Sequence, residues 1–102
     1  MDKEYEVIIC IVNNGYSEIA MEAAKAYGAK GGTVMQARGT ASKEAEKMFN
    51  ITITPEKELL MILVSKDIKD NILHGLYNSV GMNSDAKGIA FSMPVESVIG
   101  IE

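Results

Sequence analysis

Apolar residues in this 102-residue chain fall into four short strand-like runs and two stretches in which they recur every fourth residue. Residues 5–12 place Tyr5, Val7, Ile9 and Ile11 on one face of a strand and Ile8, Cys10 and Val12 on the other. Both faces are apolar, so both are expected to be covered. Asn13, Asn14 and Gly15 are turn residues. Ser17 is placed to cap a helix, with Glu18 in the first turn, where a negative charge suits the helix dipole. Ile19, Ala23 and Tyr27 share one helical face, and Gly28 suits the helix end. Residues 31–39, bracketed by glycines, read as a second strand. Residues 59–64 form a continuous apolar run, the mark of a strand buried on both sides. Ser65 or Asp67 can cap the next helix, on which Ile68, Ile72, Leu76 and Val80 recur every fourth residue. Residues 88–93 read as a fourth strand that Pro94 is expected to end, and Val98, Ile99 and Ile101 make a short closing apolar piece.

This order, βαβ, loop, βαβ, predicts an α+β fold of the ferredoxin-like type over a single domain, residues 1–102. Its four-stranded antiparallel sheet would carry two helices on one face. Two helices cover only one sheet face, yet the first and third strands are apolar on both. An uncovered apolar face of that size marks an interaction surface, and a second copy of the same sheet is the simplest cover. A homo-oligomer is therefore expected. The segment 40–56 is longer than the connections usual in compact domains, which points to function. Within it, residues 42–49 could form two turns of helix, with Glu44 and Lys47 at i,i+3 spacing. Phe49, Ile51 and Ile53 then alternate with polar residues, as in a short extended stretch.

Charge and composition narrow the function classes. The net charge is −4, without the basic footprint of nucleic-acid binding. Cys10 is the single cysteine, so no internal disulfide forms, which fits a reducing compartment. The first residues lack an apolar signal core, and no run of about 18 apolar residues occurs, so a cytoplasmic location is expected. His74 is the single histidine, too few for a zinc site of the usual kind. Neither paired carboxylates nor a Ser/His/Asp or Cys/His set is evident, so an enzyme is the least favoured class. The residues suited to holding an anion are Gly31, Thr33, Arg38 and Gly39 around the second strand, and Lys87 and Gly88 before the fourth. Glycines admit close approach, a hydroxyl and a guanidinium donate, and a lysine–glycine turn can form an anion nest.

Gly31-Gly32-Thr33-Val34 with Arg38-Gly39, Pro94-Val95-Glu96-Ser97-Val98-Ile99-Gly100-Ile101 at the end, and the element order together resemble the PII signal-transduction family, in particular its PII-like branch. The resemblance implies a homotrimer of ferredoxin-like protomers. It also implies an adenine nucleotide (AMP, ADP or ATP) bound between subunits, at Gly31, Thr33, Arg38, Gly39, Lys87 and Gly88. Residues 40–56 would correspond to the T-loop, with Lys43, Glu44, Lys47 and Phe49 as docking residues for a regulated partner such as a membrane transporter. It implies regulation rather than catalysis; the residues themselves, short of His and Cys, lead to the expectation of no metal, and no covalent cofactor is expected.

The chain departs from the family pattern in specific places. Residues 40–56 contain neither the modifiable tyrosine nor the glutamine that serves 2-oxoglutarate. Ile89 stands where the family has a lysine, and Gly100 and Glu102 stand where it has two phosphate-holding arginines. Lys87 could replace part of that clamp. The alternative architecture is a structural or metal-linked trimer of the CutA type, against which the shortage of His and Cys argues.

Overall fold

The computed structural model describes residues 4–40, 43–49 and 55–101. Its elements are β1 (Tyr5–Asn13), α1 (Ser17–Ala26), β2 (Thr33–Arg38), α2 (Lys43–Phe49), β3 (Glu56–Ser65), α3 (Lys66–Val80) and β4 (Ile89–Val95). The four strands form one sheet in the order β2-β3-β1-β4, every neighbouring pair antiparallel. This is the ferredoxin-like arrangement expected from the rhythm of the sequence.

The core lies on one face of the sheet. Ile8, Cys10 and Val12 of β1 and Leu60, Ile62 and Val64 of β3 pack against Ala20 and Ala24 of α1 and Ile72, Leu76 and Val80 of α3. Register sets this pairing, with Ile8 opposite Ile62 and Cys10 opposite Leu60. Full burial of each large side chain contributes about 1.5–3 kcal/mol. Small alanines on α1 let that helix lie close to the sheet.

The other face carries Val7, Ile9 and Ile11, with Met35, Leu59, Met61, Leu63, Phe91 and Met93 beside them in register. Ile9 is only 8% exposed, because Met61 and Phe91 flank it on the neighbouring strands. Those flanking side chains and Met93 stay about half open to solvent. The doubly apolar strands thus find a helix layer on one side only.

Several local expectations change. The buried stripe of α1 is Ser17, Ala20 and Ala24, while Ile19 and Tyr27 are exposed. The i,i+4 spacing of Ile19, Ala23 and Tyr27 picked a neighbouring face, because the residues that pack into the core between the sheet and α3 are the small ones. Ser17 is the first helical residue and not the cap. Tyr16 occupies the cap position without a side-chain bond. Gly28 does close α1: its φ is 112°, and its amide donates to the Lys25 carbonyl. Ser65 caps α3, its hydroxyl accepting from the Asp67 amide at 3.4 Å. β3 starts at Glu56, earlier than the apolar run suggests, because Arg38 pairs with Glu56 across the β2–β3 ladder. Pro94 does not end β4. The strand runs on to Val95, and Pro94 sits opposite Glu6 on the sheet edge, where a missing N–H is tolerated. α2 matches the two turns expected near 42–49. The expected extended stretch at Ile51 and Ile53 lies outside the described residues. Val98, Ile99 and Ile101 form no strand. No helix among the described residues is long and apolar enough to cross a membrane.

Candidate functional site

The six anion-site candidates fall in three places. Gly31 and Thr33 lie in the α1–β2 connection and the first position of β2, and they line a cleft of about 1030 Å³. Met61 and Leu63 of the open sheet face form its floor, and the C-terminal Val98, Ile99 and Ile101 form its far wall. Ile99 is 95% exposed, so that wall is apolar and unfilled. The cleft is broad enough for a drug-sized ligand.

Arg38 and Gly39 stand at the far end of β2. Arg38 is exposed and makes no ion pair with another described residue. The Gly39 amide donates to the Pro55 carbonyl at 2.7 Å, which closes the root of the 40–55 connection. The docking candidates Lys43, Glu44, Lys47 and Phe49 all fall on α2, where Glu44 and Lys47 are exposed.

Lys87 and Gly88 form the third place, between α3 and β4. Lys87 adopts a φ of 49°, and its amide donates to the Ser84 carbonyl at 3.2 Å. The Gly88 amide donates to the Val80 carbonyl at 2.7 Å. Only glycine fits at 88, because a Cβ would collide with the Val80 carbonyl oxygen. Both amides are therefore engaged within the protomer, which corrects the expectation of an anion nest here. What this turn offers an anion is the Lys87 ammonium, which rests 3.4 Å from the Met82 carbonyl oxygen.

Arg38 ends the β2 edge, and Gly88 leads into β4 on the opposite edge, at the same end of the sheet. Three inter-strand steps separate β2 from β4, about 14 Å in all. Thr33 lies five residues down β2 from Arg38. One protomer therefore does not close a pocket around all six candidates.

The sequence reading missed three residues at this end of the sheet. Glu58 accepts from the Gly15 amide at 2.9 Å, from the Ser17 amide at 3.0 Å and from Gln36 Nε2 at 3.4 Å. Burial pushes the Glu58 pKa up, but the bonds from the Ser17 amide and hydroxyl, the Gly15 amide and Gln36 outweigh it and hold the carboxyl below its ordinary value. Lys57 Nζ donates to Asn13 Oδ1 at 2.6 Å, and Asn13 Nδ2 donates to the Asp85 carbonyl at 3.0 Å. A signal was present in the sequence: Glu56, Lys57 and Glu58 are three successive charged residues directly before the apolar run 59–64 of the same strand.

Cys10 is fully buried among the core side chains, and burial pushes its thiol up to about 11. His74 is exposed on α3. Among the described residues, no group of three His, Cys, Asp or Glu is placed to hold a metal ion.

Residues 5–102 match the model of a family described as nitrogen regulatory protein P-II. No curated protein sequence matches the chain. Among solved structures, a PII-like signaling protein of Thermus thermophilus is 23% identical, with a TM-score of 0.69 over 93% of this chain and 90% of that one. The GlnK–ATP complex of B. subtilis is 17% identical, with a TM-score of 0.70 over 93% and 84%. CPII of Thiomonas intermedia K12, a nitrogen regulatory PII-like protein bound to ADP, AMP and bicarbonate, is 15% identical, with a TM-score of 0.70 over 96% and 97%.

Proposed function

Because the chain belongs to the nitrogen regulatory protein P-II family, we propose that it is a non-catalytic cytoplasmic regulator that binds an adenine nucleotide between the subunits of a homotrimer. The observation that carries this reading is the division of the six candidates between two sheet edges. A ligand that needs Thr33, Arg38 and Lys87 together must draw them from neighbouring protomers. The apolar open face supplies the contact that brings protomers together. The Thr33 cleft offers apolar walls to a base, and the two cations at the other end of the sheet offer charge to a phosphate.

The nucleotide acts by binding one arrangement of residues 40–56 better than another, and α2 presents the docking surface. The partner class we favour is a membrane transporter. Gly100 and Glu102 remove positive charge from the C-terminal segment, so added phosphates gain less. AMP and ADP should bind at least as tightly as ATP, and 2-oxoglutarate should not bind. Isothermal titration with AMP, ADP, ATP and 2-oxoglutarate tests this. If no nucleotide binds with Kd below about 1 mM, the reading fails and a docking trimer without a ligand takes its place.

A further inference from the structure

Lys57 lies between two segments that the sequence separates widely. On one side is the loop root. A Cβ on Gly39 would sit 3.0 Å from Lys57 Cε and 3.2 Å from its Cγ, so the lysine stem runs directly past that glycine. On the other side, the Lys57 ammonium donates to Asn13 Oδ1 at 2.6 Å. Asn13 then holds the 81–88 segment twice, through Nδ2 to the Asp85 carbonyl at 3.0 Å and through its amide to the Ala86 carbonyl at 2.8 Å. Asn13 and Lys57 also face each other in the β1–β3 register, so the backbone presets the side-chain bond. The ammonium has a neutral partner and is half-buried, and no carboxylate among the described residues lies within ion-pair distance.

We propose that Lys57 and Asn13 form a crossbar that holds the Arg38–Gly39 loop root and the Lys87–Gly88 turn in register, so that displacing either segment is felt at the other. They are positioning residues that need not touch a ligand. In the regulatory reading, on which the purpose of the crossbar rests, the crossbar joins the two cationic ends of one protomer. Occupancy at the Lys87 turn then biases the root of the segment that meets the partner. The coupling needs no movement of the core, because Lys57 and Asn13 lie at the strand ends beyond the last buried residues, Val12 and Leu60. Side chains in direct contact and in one hydrogen-bonded network are those whose energies fail to add.

Two backbone amides report on the two ends: Gly39, bonded to the Pro55 carbonyl, and Gly88, bonded to the Val80 carbonyl. Native-state hydrogen exchange on the full chain without ligand reads both. Gly39→Ala places a methyl group against Lys57 without backbone strain, since Gly39 is not among the positive-φ residues. It should lower Gly88 protection by about three- to tenfold more than it lowers that of Ile72 in the middle of α3. In a Lys57→Met background, or with Asn13→Asp, which cannot donate to the Asp85 carbonyl, the same Gly39 change should leave Gly88 within about twofold. Where Gly39→Ala does not fold, Lys57→Met alone should lower Gly88 protection by at least about threefold relative to Ile72, and Lys57→Arg should restore it. A Gly88 response that survives Lys57→Met, or losses equal at Gly88 and Ile72, overturns the crossbar. Because the measurement uses the free protein, its failure leaves the nucleotide titration untouched, and a failed titration leaves the crossbar standing.

Discussion

The Glu58 carboxylate on β3 accepts the amide of Ser17, at the start of α1, across 3.0 Å. A helix N-terminus that lacks its own side-chain cap is thus capped from the neighbouring strand, and the same carboxylate takes the Gly15 amide of the preceding turn. Glu58→Ala should therefore lower stability by about 0.5–2 kcal/mol, the range for loss of an N-cap. Urea unfolding at neutral pH measures this, and an unchanged midpoint would count against the cap.

Glu58 also predicts a pH dependence. Its folded pKa lies below its ordinary value of 4.5, since its hydrogen bonds favour the charged form. The stabilisation is then fully present above the unfolded value and is lost as pH falls through the lower, folded one. The stability advantage of the wild type over Glu58→Gln should hold from neutral pH down to about pH 5 and shrink steadily below it. Paired urea melts across that range check the sign. An advantage that grows with acidity is incompatible with this carboxylate.

The open face predicts assembly. Light scattering should give three chains of 11.0 kDa each. Met61→Asp places a carboxylate in the middle of this face, beside Ile9 and Thr33, where a second copy would bury it without a partner. Burial of an unpaired charge is costly enough to break the contact. The variant should run as a folded monomer, with unchanged far-ultraviolet circular dichroism. A variant that remains trimeric would move the interface elsewhere.

Arg38 predicts a ligand effect separable from folding. Its guanidinium is exposed and free of ion pairs with described residues, so Arg38→Ala should leave the melting temperature in place. The same change should weaken ADP binding by about 1.5–3 kcal/mol, the value of a hydrogen bond to a charged group. Titration of both proteins with ADP decides it.

Cys10 predicts silence. A thiol pushed up to about 11 and sealed between the sheet and α3 holds almost no thiolate near neutral pH. Ellman's reagent should report no reactive thiol in the native protein and one per chain in denaturant. Fast labelling of the native protein would mean that the core opens readily.

α3 was legible because its apolar residues repeat with a period that burial enforces, β1 and β3 because their runs are apolar on both faces, and β2 because glycines bracket it. Ile72, Leu76 and Val80 read as a stripe and are one. α1 was harder. Its buried stripe is made of small residues, Ser17, Ala20 and Ala24, which carry too little hydrophobic signal to outvote Ile19 and Tyr27. Pro94 misled because the rule against proline in strands concerns the donor it lacks, and an edge position has an unpaired side to spare. Among the site candidates, Thr33, Arg38 and Lys87 were visible as isolated donors beside glycines. Their separation across the sheet was not visible, because strand order is a three-dimensional fact that period alone does not carry. Glu58, Lys57 and Asn13 escaped for the same reason: each matters through a partner more than 40 residues away in sequence.

Pro94 also constrains how copies of this protein can add to one another. β4 leaves one side of the sheet open, and a bare strand edge is a template on which further strands polymerise. At Pro94 that template lacks a donor, so an incoming strand would meet a gap in its ladder. Growth by edge-to-edge extension is blocked there, while the broad apolar face next to it stays open to stacking. The same sequence therefore favours a closed cluster of few subunits over an open-ended fibre.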